Sequence, residues 1–259
     1  MTRSLALLLA VAAPAAAQTL PDAAPLDRTL ERHVVGGLVD YAGLQANRAE
    51  LDYFLEALGR TSPVDLDRAS RDERLAFWIN AYTTCALRLV IDGYPIRPRP
   101  ARRGEPATSV RHLAAWGREF CRVAQGLRSL DGIADRIVRP LGEPRAEFAL
   151  SCPARSCPGV PGVAYRGERL DAQLDAAVRA FAGVPRHYEW IGGDPPVARL
   201  APAFERVQGD LGGRAALGAF LARYAPTEHA RALAAGEVRI EFLPFDWTLN
   251  DLSAAIPAR

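Results

Sequence analysis

Ser70-Arg71-Asp72-Glu73-Arg74-Leu75-Ala76-Phe77-Trp78-Ile79-Asn80-Ala81-Tyr82-Thr83-Thr84-Cys85-Ala86-Leu87-Arg88-Leu89-Val90 is the stretch on which the fold turns. Ser70 and Glu73 have the spacing of a capping box, in which the serine hydroxyl and the glutamate carboxylate each satisfy an orphan amide of the first turn. The helix therefore starts there. Beyond it, Leu75, Phe77, Trp78, Ile79, Tyr82, Ala86, Leu89 and Val90 cover more than one face, so the helix belongs in the middle of a core, ending near Gly93 and Pro95. Asn80 on that apolar surface must find hydrogen bonds, either by fixing a neighbouring loop or by pointing into a pocket, and it is a candidate ligand contact.

Outward from this helix, elements alternate without repeats. Upstream, Leu26, Leu30, Val34 and Val35 have helical spacing up to Gly36-Gly37, and Leu38 to Leu44 reads as extended. Asn47 is placed to cap a helix carrying Leu51, Phe54, Leu55 and Leu58, with Gly59 as its stop. Downstream, Pro95 to Thr108 is a loop with four prolines among Arg97, Arg99, Arg102 and Arg103. Ser129 can cap a helix with Leu130, Ile133 and Ile137, ended by Pro140. Ala146 to Ser151 reads as a short strand entering the turn Cys152 to Pro158. Leu170, Leu174, Val178 and Phe181 predict an amphipathic helix stopped by Gly183. A weak extended stretch at His187 to Ile191, helices near 214 to 224 and 227 to 235, and the alternating strand Val238 to Leu243 complete the chain. The pattern is α+β: a helix-rich single domain with a small antiparallel or mixed sheet.

Composition narrows the function. The 259 residues are 49% hydrophobic and 24% charged, ordinary for a globular chain. Against 30 acidic residues stand 32 basic ones, leaving +2, which argues against a nucleic-acid binder relying on a broad positive field. Every basic residue is arginine, so Schiff-base lysine chemistry and a phosphate-loop lysine are excluded. Arg3, the apolar run Leu5 to Ala13 and the small residues before Gln18 match a secretory signal peptide over residues 1–17. Cleavage would leave residues 18–259 as one domain with no integral membrane segment, periplasmic or secreted.

In an oxidising compartment Cys85, Cys121, Cys152 and Cys157 tend to pair, with three complete pairings open. Cys85, inside a core helix, reads as a small buried hydrophobe. The spacing of Cys152 and Cys157 is not that of a zinc or thioredoxin-like pair, and the four histidines are scattered, so no metal and no cofactor is expected.

Val39-Asp40-Tyr41, Leu75-Ala76-Phe77-Trp78-Ile79-Asn80-Ala81-Tyr82, Ser129-Leu130-Asp131, Pro144-Arg145, Phe148-Ala149-Leu150-x-Cys152, Cys157-Pro158 and Leu243-Pro244-Phe245-Asp246-Trp247-Thr248-Leu249-Asn250 together resemble the family called domain of unknown function 547, from about residue 39 to 251. The resemblance implies an exported or membrane-associated α+β domain and no established reaction. Its pattern carries a histidine just before the Phe-Ala-Leu segment and a Glu-His pair in the preceding helix, where this chain has Glu147 and Ala134-Asp135. It also carries Asn after the tyrosine of the tryptophan helix, where this chain has Thr83.

Two functional readings follow from the residues. Loss of both family histidines favours a non-catalytic module binding a small molecule or a peptide-like ligand, with Asn80, Arg145, Cys157 and Asp246 as contacts. The alternative is a thiol-dependent hydrolase or transferase with Cys152 as nucleophile and Glu147 or Asp135 as acid or base. Against it, Cys152 and Cys157 also read as a disulfide, the carboxylates as ion-pair partners of nearby arginines, and Asp246 as a cap. Trp78, Trp116, Trp190 and Trp247 are expected as core or rim aromatics.

Overall fold

The computed structural model describes residues 20–97, 106, 108–113 and 116–255. The expected signal peptide and most of the arginine- and proline-rich stretch, including Arg99, Arg102 and Arg103, lie outside the described residues.

The first half runs α1 (Ala24–His33), a hairpin of β1 (Val34–Val35) and β2 (Leu38–Val39), α2 (Tyr41–Ala46), α3 (Ala49–Arg60), α4 (Pro63–Arg68) and α5 (Arg71–Gly93). Both bonds of the expected capping box start α5: the Glu73 amide donates to Ser70 Oγ at 3.2 Å, and the Ser70 amide donates to Glu73 Oε2 at 2.8 Å. Sixteen residues of α5 are buried, and Leu75, Ile79, Cys85, Val90 and Ile91 expose nothing. This helix is the axis of the main core, as its all-round apolar surface predicts. Asn47 does not cap α3. It closes α2, where its side chain donates to Gly43 O at 3.0 Å, and α3 starts at Arg48 without a side-chain cap. Val34 and Val35 leave the first helix because the turn at Gly36 and Gly37, both at positive φ, folds them back onto β2.

A hairpin of β3 (Cys121–Val123) and β4 (Gly126–Arg128) follows, then α6 (Leu130–Ile133), capped by Ser129 as expected and prolonged by a wide turn over Ala134–Val138 and a tight one over Arg139–Leu141. The strand expected at Ala146 to Ser151 is a 3₁₀ helix, Pro144–Phe148. Pro144 supplies a helical φ at its start and the Glu143 carboxylate accepts from the Arg145 amide at 3.2 Å. Ala146, Phe148, Ala149 and Leu150 are all buried, so the run owes its apolarity to enclosure rather than to one face of a sheet.

The second half is α7 (Leu170–Ala182), β5 (Tyr188–Ile191), β6 (Val197–Leu200), α8 (Pro202–Leu211), α9 (Arg214–Leu221), α10 (Thr227–Ala235) and β7 (Arg239–Phe242). The sheet is small and mixed: β5 pairs antiparallel to β6, with Tyr188 opposite Leu200, and β6 pairs parallel to β7, with Leu200 opposite Phe242. A second apolar cluster lies around Phe148, which packs at 5.3 Å from Phe181 and 5.0 Å from Phe204. The molecule is thus a helix-rich α+β fold.

Two disulfides are present. Cys85 of α5 is bonded to Cys121 of β3, which corrects its expected role as an unpaired hydrophobe: the helix face that buries it is also the face that meets the hairpin. Cys152 is bonded to Cys157. Among the described residues no helix is long and apolar enough to cross a membrane.

Candidate functional site

The segment 246–251 joins three distant parts of the chain. Its Trp247 carbonyl accepts from Val110 N at 2.9 Å, its Thr248 carbonyl from Arg155 N at 2.8 Å, and its Asn250 carbonyl from Val39 N at 3.0 Å. Asn250 N donates to Pro153 O at 3.1 Å, and Asp246 N donates to Ser156 Oγ at 2.7 Å. Tyr41 Oη donates to Asn250 Oδ1 at 2.6 Å, so side chains lock the same seam. The segment therefore brings the helical turn Val110–Leu113 and the loop 152–157 to its two sides.

Between them and α8 opens a cleft of about 770 Å³. Its apolar lining includes four aromatic residues, Tyr82 from α5, Trp116, Phe245 and Trp247, beside aliphatic ones such as Leu150 and Pro158. The rings pack against each other, Phe245 at 4.1 Å from Trp247 and Trp116 edge-on at 6.2 Å. The Arg111 guanidinium lies 4.4 Å over the Trp247 ring, and no ion pair holds it among the described residues. His112 also lines the cleft. It is buried, and among the described residues its Nε2 has no hydrogen-bond partner, as is true of Trp116 Nε1.

Acidic groups come from other elements: Asp131 from α6, Asp135 from the turn after it, Glu147 from the 3₁₀ helix and Glu205 from α8. Glu147 and Asp135 are brought together by one cation, since Arg206 Nε lies 2.9 Å from Glu147 Oε1 and Arg206 Nη2 lies 2.7 Å from Asp135 Oδ1. Burial pushes the Glu147 carboxyl above the usual range, against the pull of Arg206 and Arg139. The Asp131 carboxyl is raised too, first by burial and then by Asp135, and it has no ion-pair partner among the described residues.

Both cysteines of the second disulfide line this cleft, Cys152 half-buried and Cys157 buried. Of the residues singled out from sequence, Cys152, Cys157, Glu147 and Asp135 stand together here. Asn80, Arg145 and Asp246 are not among the cleft's lining. Asn80 is spent on a loop: its Nδ2 donates to Tyr165 O at 2.8 Å and its Oδ1 accepts from Tyr165 N at 2.9 Å. Arg145 grips Glu143 at 2.8 Å and Asp175 at 2.7 Å, which ties the 3₁₀ helix to α7. Asp246 is exposed and accepts from Thr248 N at 2.9 Å, the turn role that its capping chemistry suggests. Sequence reasoning missed His112, Arg111 and Arg206. Nothing local marks His112, which reaches the loop 152–157 only through the pairing of segment 246–251 with both.

Residues 66–182 match the family model described as protein of unknown function, DUF547. That segment is similar to DUF547. The match is narrower than the 39–251 span of the sequence resemblance. The matched segment contains α5, both disulfides, His112, Trp116, Asp131, Asp135 and Glu147, whereas Arg206, Phe245 and Trp247 complete the cleft from beyond it. No curated protein and no solved structure matches the chain. Among the described residues no three His, Cys, Asp or Glu side chains form a group able to hold a metal ion.

Proposed function

We propose that the cleft is a binding site for a small peptide-like ligand, in a protein exported to the periplasm or beyond the cell. One observation carries the reading: the cleft gathers four aromatic rings with Arg111 and Asp131, neither of which has an ion-pair partner among the described residues, and such groups are costly to enclose unless a ligand or solvent meets them. A volume of about 770 Å³ lies in the range of small-molecule sites. Arg111 suits a carboxylate or amide oxygen, Asp131 and Glu205 suit an ammonium or amide N–H, and the aromatic lining suits an apolar side chain. Peptides with free ends offer all three. The closed Cys152–Cys157 bridge favours binding over thiol catalysis, and two disulfides accord with an oxidising compartment.

Equilibrium dialysis against a randomised mixture of tripeptides with free termini tests this. Retained peptides are expected in mass spectra of the wild type, with retention reduced about tenfold or more in Arg111→Ala and in Asp131→Asn. No retention above that of a denatured control would reject the proposal.

A second reading is favoured by His112 lining the same cleft as Cys152. In the reduced protein the imidazole would stand in for the histidines missing from the family positions, and Cys152 would act as the nucleophile of a hydrolase or transferase. Turnover of an activated thioester by reduced protein, abolished in Cys152→Ser and in His112→Ala, supports it; turnover equal in Cys152→Ser defeats it.

A further inference from the structure

The two disulfides differ in setting. Cys85–Cys121 is sealed in the main core, both residues at 2% exposure or less. Cys152–Cys157 forms part of the wall of an open cleft. They also differ in what else holds their surroundings. The loop 152–157 is fastened without its sulfurs: Arg155 N to Thr248 O at 2.8 Å, Asn250 N to Pro153 O at 3.1 Å, Ser156 N to Asp246 O at 3.3 Å and Cys157 N to Ala154 O at 3.0 Å. The Asp246 amide donates to Ser156 Oγ at 2.7 Å, and Ser151 Oγ donates to Gly159 O at 2.9 Å. A loop with that many backbone anchors keeps two thiols side by side after the S–S bond opens. A staple would be the main tie in its region; here the bridge is one tie among several.

We propose that Cys152–Cys157 is a thiol–disulfide exchange centre and that its substrates are thiol-bearing peptides or small thiols entering the cleft. Cys152 is the less buried of the two residues, and its Sγ is the one attacked. The substrate thiol gives its proton to the His112 imidazole, which lines the same cleft. Its thiolate forms a bond to Cys152 Sγ as the Cys152–Cys157 bond breaks, and the Cys157 thiolate leaves and takes up the proton. A second substrate thiol, losing its own proton, attacks the sulfur of the first and releases Cys152 as thiolate, which is protonated in turn. The substrate pair is oxidised by two electrons and the cysteine pair is reduced by two. Exchange with a small disulfide such as oxidised glutathione reverses the sequence and regenerates the bridge. The cleft is the one proposed above for ligand binding, but the exchange rests on its sulfurs and not on the identity of the occupant.

The full chain in its oxidised form is incubated with millimolar reduced glutathione, quenched with an alkylating reagent and mapped by mass spectrometry. Alkylation at Cys152 and Cys157 is expected, with Cys85 and Cys121 unmodified and the near-ultraviolet circular dichroism of the folded protein retained. Cys157→Ser is expected to carry glutathione on Cys152. A synthetic peptide with two cysteines is expected to become oxidised in stoichiometric amount. His112→Ala is expected to slow the opening about tenfold, and added imidazole to restore it. The proposal is overturned if both bridges open together only as the tertiary signal is lost, or if neither opens in the folded wild type. Wild-type mapping decides even where a variant fails to fold. Dialysis with cysteine-free tripeptides reads the binding proposal separately, so either can fail alone.

Discussion

Replacing Cys85 and Cys121 together by alanine tests how the core is held. The bridge closes a loop between positions 36 apart, joining α5 to the hairpin β3–β4. Loop-closure entropy of the unfolded chain scales with the logarithm of that separation, and for this loop it gives about 4 kcal/mol of lost stability. The same relation gives about 2 kcal/mol for Cys152 and Cys157, which are only 5 apart. Both sulfurs of the long bridge are buried in the main core, so truncation there adds a packing loss, whereas the short bridge faces the cleft. The long bridge is therefore the more stabilising of the two. Urea unfolding followed by circular dichroism is the assay, and a loss of about 4 kcal/mol corresponds to a melting temperature lower by about 8–15 °C in a chain of this size. If the Cys85/Cys121 double variant loses less than about 1 kcal/mol, or the Cys152/Cys157 double variant loses as much as it does, the reasoning is refuted.

His33 and His187 predict acid sensitivity. Burial lowers both imidazole pKa values, so the folded state binds fewer protons than the unfolded one and stability, present above about pH 6.5, is lost as pH falls below it, with a slope of up to about 1.4 kcal/mol per pH unit for each. His33→Leu, which removes two buried ring nitrogens without partners, is expected to flatten stability between pH 7 and 5 in thermal melts. Asn80→Ala leaves the Tyr165 amide and carbonyl unpaired in the core, and a loss of about 3 kcal/mol with faster hydrogen exchange at the Tyr165 amide is expected. Arg145→Lys breaks the two-pronged contact with Glu143 and the reach to Asp175, at an expected cost of about 1–2 kcal/mol in urea unfolding, smaller in high salt.

Helices with a local signal were legible: the capping box of α5, the Ser129 cap, and the α7 stripe ended by Gly183 all stand as the residues predict. Elements whose reason lies elsewhere in the chain were not. The hairpin β3–β4 turns on Ala124 and Gln125, both at positive φ, so the Asn-Gly or Gly signature of such turns is absent. The strand β6 contains Arg199 and follows a proline pair, and α8 starts at Pro202 with Ala201 as an uncapped beginning. The run Ala146 to Leu150 is too short for its apolar residues to separate strand from helix. At the cleft, the carboxylates and cysteines could be read because loop and helix ends advertise them. The donors facing them could not, because they arrive through contacts between segments far apart in sequence, Arg206 with Asp135 at a separation of 71 and the turn of Arg111 and His112 through Trp247.

Segment 246–251 adds one consequence, for the order in which the molecule becomes competent. The turn that carries His112, the loop that carries the cleft disulfide and the strand at Val39 have no common tie until this stretch threads between them. It is made after every element that it joins. A nascent chain can build α5 and its surroundings early, yet it has no finished pocket to fill or expose until residues 246–251 have emerged, so occupancy by ligand reports that this segment has threaded into place as much as that the core has folded.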